Sequence, residues 1–152
     1  MADGRGRALA TRITGGNASD TRELVPLLDQ IAVARPGGFG RPRKRPDSVT
    51  ADKAYSSKAN RAALRARKIV AVIPERDDQK ANRARKGAHG GRPPDFNPTA
   101  YKQRNQVERG FGRRKQWRGV ATRYDKLADS YQAVLDLAET LDWLRARPDR
   151  PS

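Results

Sequence analysis

The 152-residue sequence carries 33 Lys and Arg against 17 Asp and Glu, a formal net charge of +16, so a polyanion is its natural partner. It has no cysteine and one histidine, His89, which excludes disulfides, thiolate sites and histidine-rich zinc sites; a bound metal would be held by carboxylates, hence Mg²⁺ or Mn²⁺. No apolar stretch of about 18 residues occurs and the start MADGRGRALA has no apolar h-region, so neither a membrane span nor a secretory signal is expected and the compartment is cytoplasmic by default.

Asp3-Gly4 reads as a tight turn, with a strand running out of it over Ala8-Leu9-Ala10-Thr11-Arg12-Ile13-Thr14 and ending at Gly15-Gly16. Asn17 or Ser19 can cap a helix from about Thr21 to Ala34, whose apolar face is Leu24, Leu27, Leu28 and Ile31. Arg35 to Pro46, RPGGFGRPRKRP, cannot form a helix interior or central strand, and 35–47 is expected to be a mobile basic loop, either a phosphate-contacting arm or a disordered linker. Ser48-Val49-Thr50-Ala51 makes a short strand ending at Asp52, and Ser56 or Ser57 caps a helix through Arg67. Lys68 to Ile73 is an apolar, β-branched run suited to a strand covered on both faces, stopped by Pro74.

Residues 75–100 show no periodicity and read as a second basic loop; His89 within it is expected to be solvent-exposed. A helix spans Tyr101 to about Trp117, then an amphipathic one Leu127 to Arg145 with Leu127, Tyr131, Val134, Leu135, Ala138, Leu141 and Leu144 on its face. Trp117 and Trp143 are expected to pack rather than stack on bases, and 148–152 is expected to be a disordered tail. Strands alternating with helices imply an α/β sheet with some parallel pairing. The excess charge is concentrated: residues 35–126 hold 26 basic and eight acidic groups, whereas 1–34 are balanced and 127–152 are slightly acidic. Solubility is as well served by mixed signs, so nucleic acid is the better explanation of that segment.

Two features can carry chemistry. Asp52 directly succeeds a strand, where ligand-binding residues collect in open α/β sheets. Tyr101, Arg104, Glu108 and Lys115, at offsets of 3, 7 and 14, would fall within roughly 60° of one another on a regular helix. A carboxylate amid cations suits phosphoryl transfer, in which carboxylates hold metal ions while Arg and Lys engage phosphate. Spacing alone favours the plainer reading, an Arg104–Glu108 i,i+4 ion pair worth about 0.2–0.5 kcal/mol.

The run Tyr101-x2-Arg104-x3-Glu108-x6-Lys115 resembles the signature of bacterial insertion-sequence DDE transposases. Ala51-Asp52-Lys53-Ala54-Tyr55 resembles that family's block around the second catalytic aspartate, and Gly15-Gly16-Asn17-Ala18-Ser19-Asp20 resembles the block before it. The stretch from Lys115 to Lys126 resembles the family's block just after the catalytic glutamate. The resemblance implies a partial RNase H-like catalytic domain over 1–147. Asp52 and Glu108 would be its catalytic, metal-holding residues, and the two-ion Mg²⁺ or Mn²⁺ site would be completed by an aspartate not present in this chain. Tyr101, Arg104 and Lys115 would contact the DNA end, joined by Arg113, Arg114 and Arg118 and by Arg43, Lys44 and Arg45 of the first basic loop. The implied activity is metal-dependent cleavage at the element's ends, then attack of the freed 3′-hydroxyl on target DNA, by a homo-oligomer when complete. The implied partners are DNA and an upstream-frame transposase segment. The alternatives are a non-catalytic basic nucleic-acid-binding protein and an inactive remnant. Gly110 and Gly112 inside the glutamate's helix each cost about 1 kcal/mol relative to Ala, which suggests either relaxed selection or close approach of DNA.

Overall fold

A computed structural model describes residues 1–122 and 127–145. The fold is mixed α/β, and the chain divides into two compact units: residues 17–104, and residues 1–16 together with 105–152.

The first unit is built around a parallel pair of short strands, β1 (Ser48–Thr50) and β2 (Val70–Val72), in the register Ser48–Val70, Val49–Ala71 and Thr50–Val72. Parallel neighbours need a crossover, and α2 (Lys58–Ala66) supplies it. The choice between Ser56 and Ser57 as its cap is resolved: the Ser57 hydroxyl accepts from the Asn60 N–H at 3.1 Å, satisfying one orphan donor of the first turn. Leu64 on α2 is completely buried, and Val49, Ile69, Val72 and Ile73 join it in the core. Lys68 turns the chain back toward β2 with φ +55°. The expectation that this strand is covered on both faces fails at Val70, which is 62% exposed although Val72 on the same face is buried, so the cover is lost at the strand's first residue.

α1 is shorter than expected. It begins as a 3-10 turn at Asp20–Glu23, continues as Leu24–Asp29, and its N-terminus has Ser19 in extended backbone without any side-chain cap bond. Leu24, Leu28 and Ile31 are buried as the periodicity required. The chain leaves the helix at Gln30, and Val33 pairs instead with Arg43 in an antiparallel bridge, with N–H to O distances of 3.0 and 2.7 Å. The first basic loop is therefore pinned at its base. The segment 75–100 is not a plain loop either: it contains α3 (Asp77–Arg85) and the start of α4 (Pro98–Tyr101). α3 buries no residue, so no hydrophobic period could reveal it. Its support within the helix is charge placement, with Asp77 and Asp78 in the first turn, Arg83 and Arg85 in the last, and an Asp77–Lys80 pair.

The second unit joins the N-terminal segment to α5 (Asn105–Lys115), α6 (Arg118–Thr122) and α7 (Ala128–Arg145). The expected strand over 8–14 is reduced to a single antiparallel bridge between Ala2 and Ala8, because no further strand lies beside it among the described residues. Asp3 closes the turn, accepting from the N–H groups of Arg5 and Arg7, both at 2.9 Å, and pairing with the Arg7 guanidinium. Val120, Leu135 and Ala138 form a small core, against which Ile13, Trp117, Tyr131 and Val134 pack. Leu127 and Leu144, expected on the buried face of α7, are exposed. The tail over 148–152 lies outside the described residues.

Gly110 has a structural explanation that the sequence did not suggest. It faces the backbone of Gly6, so a Cβ there would collide with the Gly6 carbonyl oxygen, whereas Gly112 has open space. Gly110→Ala should therefore lower stability despite alanine's better helix propensity, while Gly112→Ala should raise it by up to about 1 kcal/mol. Urea unfolding of the two variants checks this; equal and positive shifts would contradict the packing.

Candidate functional site

Asp52 stands just beyond the C-terminal end of β1, as the sequence predicts. It caps the 3-10 turn Lys53–Tyr55, its Oδ1 accepting from the Ala54 N–H at 2.9 Å, and it remains partly open to solvent. One carboxylate oxygen thus fixes the side chain against its own loop. The loop is held from beneath by two polar groups that are almost wholly buried, Ser56 and Asn60. The Asn60 amide donates to the Thr21 carbonyl at 2.9 Å, the Thr21 hydroxyl at 3.0 Å and the Tyr55 carbonyl at 3.2 Å, tying the entry to α1 to the Asp52 turn. The Ser56 hydroxyl donates to Gln79 Oε1 at 2.8 Å, and the Gln79 amide returns a bond to the Ser56 carbonyl at 2.9 Å. Arg61 donates to the Ser56 hydroxyl and to the Ile73 carbonyl.

This ring of bonds docks α3 beside the Asp52 turn. Lys53 reaches Asp77 at 3.8 Å, and Glu75 grips Arg83 through both carboxylate oxygens. The Arg83 hydrogen bond holds the Glu75 carboxyl below its ordinary range, overcoming the opposing effect of burial. Burial pushes the Tyr55 hydroxyl up, and the carboxylates of Asp20, Asp52 and Glu23 push it the same way. Acidic charge therefore gathers at this end of the strand pair, although no group of three or more potential metal-binding side chains is assembled among the described residues.

Glu108 lies in the other unit, exposed on α5. The expected single helix from Tyr101 to Trp117 is interrupted: α4 ends at Tyr101, Lys102–Arg104 form a 3-10 turn, and α5 starts at Asn105. The unit boundary falls between Arg104 and Asn105, so the four-residue stripe is not one regular helix face. Within α5, Glu108 and Lys115 are seven residues apart and share a face. Arg113 and Arg114 are committed elsewhere. Arg113 pairs with Asp142 at 3.2 Å and donates to the Gly6 carbonyl at 3.1 Å; Arg114 pairs with Glu139 at 3.4 Å. Both pairs tie α5 to α7. Lys115 and Arg118 are exposed. Arg43 pairs with Asp47 at 2.5 Å, while Lys44 and Arg45 are exposed on the same segment. Trp117 packs on the core and the Trp143 indole donates to the Ala8 carbonyl at 2.7 Å, so both tryptophans are packing residues as expected.

Gln79, Asn60 and Arg61 were not singled out from the sequence. A buried Asn–backbone staple leaves no pattern in the chain. The family model for the transposase DDE domain matches residues 1–138. The chain belongs to that family. It is 35% identical, over 90% of its own length, to the transposase ascribed to insertion sequence element IS402 of Burkholderia cepacia, and spans 57% of that protein. No solved structure matched it.

Asn60→Ala would leave the Tyr55 and Thr21 carbonyls short of a donor in a buried setting and should cost about 1–3 kcal/mol, read by urea unfolding. The Glu75 carboxyl is depressed in the fold, so its contribution is present above the ordinary carboxyl pKa and is lost as the pH falls through the folded value. Glu75→Gln should accordingly flatten the acid side of the stability curve and leave little pH dependence of its own between about pH 5 and 7, measured as urea midpoints across the range.

Proposed function

We propose that this chain supplies the second and third carboxylates, Asp52 and Glu108, of an RNase H-like DNA transposase, the first coming from outside these 152 residues. The observation that carries the reading is Asp52 at the carboxyl end of a parallel strand, in a domain of the transposase DDE family. Its match over only 57% of the IS402 relative's length agrees with a further segment taking part.

The donor set is hard oxygen from carboxylates, which fits Mg²⁺ or Mn²⁺. Asp52 and Glu108 would hold such ions, which supply activation of an attacking oxygen and charge stabilisation at the leaving one. The protein's own part is to aim the carboxylates and to hold the DNA backbone. Asp52 is aimed by its bond to the Ala54 N–H and by the Asn60 and Ser56 networks below it. Glu108 shares a face of α5 with Lys115, whose ammonium would meet phosphate beside it. Tyr101 and Arg104 contact the DNA end in this reading. Among the other cations read from the sequence, exposed Arg118, Lys44 and Arg45 serve the backbone. Arg113, Arg114 and Arg43 would first have to break their pairs with Asp142, Glu139 and Asp47. The substrates are insertion-sequence ends and target DNA, and the complete protein acts as a homo-oligomer on paired ends. No described helix is long and apolar enough to cross a membrane.

The test is strand transfer by this chain fused to the upstream segment of its element, with the chain alone as control. The fusion should transfer the ends in Mg²⁺ and the chain alone should not. Asp52→Asn and Glu108→Gln should each reduce transfer by at least about two orders of magnitude, beyond the roughly 10–100-fold typical of changes outside the ligand shell, while duplex binding persists. Full activity of the Glu108→Gln fusion would remove the glutamate from its assigned role.

A further inference from the structure

A second cluster of cations lies at the opposite end of the strand pair from Asp52. The Val33–Arg43 bridge closes the first basic loop, and the Val70 N–H donates to the Asp47 carbonyl at 2.9 Å as the strand pairing begins. Lys44 and Arg45 are therefore strung between two backbone anchors only four residues apart. They line a cavity of about 420 Å³ together with Leu28, Asp29, Arg67 and Ile69. Leu28 and Ile69 at its base belong to the buried core. Arg67 comes directly after the last residue of α2, and its guanidinium is held by Asp29, the last residue of α1, at 2.9 Å. Arg45 precedes β1 and Ile69 precedes β2, so the cavity sits at the amino ends of two parallel strands whose carboxyl ends lead to Asp52 and to Pro74.

Three cations against one carboxylate in a concave site favour an anion. We infer that this cavity binds a phosphodiester of the nucleic-acid backbone, with Lys44, Arg45 and the Arg67 fork on the phosphate. The inference rests on the DNA reading above and adds a backbone site to it. The seven residues from Arg45 to Asp52 span at most about 23 Å, equal to about seven base pairs of duplex rise. A duplex lying along the strand pair would thus meet this cavity within about seven base pairs of the phosphodiester at Asp52.

The experiment uses the whole chain and a short random-sequence duplex, with affinity measured by fluorescence anisotropy between about 50 and 200 mM salt. The double variant Lys44→Gln/Arg67→Gln should weaken binding and reduce the slope of log K against log salt by about one to two. Lys58→Gln/Arg65→Gln, which removes the same charge from exposed positions of α2 outside the cavity, should change the slope less. Lys44→Arg/Arg67→Lys should keep most of the binding. Asp29→Asn breaks the same Arg67 pair but removes negative charge, so binding should hold or tighten. A loss with Asp29→Asn equal to that of Arg67→Gln, or equal slopes for the two Gln double variants, would overturn the cavity site while leaving DNA binding intact. Absence of salt-dependent duplex binding by the unaltered chain would overturn the DNA reading itself.

Discussion

Two strands of three residues each cannot hold a parallel pairing by their ladder alone, and the region around Asp52 depends on the α2 crossover that brings them together. Its anchor is Leu64, wholly buried, and its cap is Ser57, five residues past Asp52. The same short connection that must turn the chain into α2 also presents the aspartate. That economy explains why the turn is so heavily bonded. Every polar side-chain group there that is withdrawn from water finds a partner: the Asn60 amide has three acceptors, and Ser56 is engaged by Gln79 and Arg61. An unsatisfied group in that position would cost about 1–3 kcal/mol, a large share of what so small a sheet can contribute.

The elements that the sequence revealed are those whose stability comes from an apolar pattern. α1 and α7 place spaced apolar residues against a core, Leu24 and Leu28 in one and Leu135 and Ala138 in the other, while β1, α2 and β2 each bury a single aliphatic residue, Val49, Leu64 and Val72, within a recognisable run. The failures have physical causes. α3 has no buried face, so its helical character resides in charge placement and in good helix formers such as Ala81 and Ala84. The stretch 8–14 has strand composition, but a strand is defined by a partner, and its one ladder bridge among the described residues is Ala2–Ala8. Tyr101 to Lys115 has a continuous helical period in sequence; nothing in that period announces the 3-10 turn at Lys102–Arg104. Of the candidate site, Asp52 was legible because it sits where a strand ends. The polar staples beneath it were not, because a hydrogen bond across 39 residues, as between Asn60 and Thr21, leaves no trace in local pattern.

Gly110 illustrates how a local rule can be correct and its interpretation incomplete. Glycine does weaken a helix interior, yet here the missing side chain lets α5 lie against the backbone of the Asp3–Arg7 turn. The same contact is reinforced by Arg113, which bonds the Gly6 carbonyl while reaching Asp142 on α7. One residue without a side chain and one with a long charged side chain thus join three segments distant in sequence. Relaxed selection is not needed to account for the glycine, and neither is an approaching DNA strand.

The net charge needs the same discrimination. A surplus of 26 basic over eight acidic groups in residues 35–126 identifies the kind of partner but treats all cations alike. The structure separates them. Arg83 is held by Glu75, Arg113 by Asp142 and Arg114 by Glu139, each bond organising the chain rather than waiting for a ligand, whereas Arg43 meets Asp47 in an exposed pair. Lys44, Arg45, Lys115 and Arg118 remain exposed. Arginine's planar fork is well matched to a carboxylate and is less strongly hydrated than an ammonium, which is why arginines predominate in the internal pairs. The sequence-wide surplus consequently overstates the number of phosphates the chain can neutralise. A salt slope near the full charge excess would be physically out of reach, and the slope expected is the smaller one set by the exposed cations that lie within reach of a single duplex.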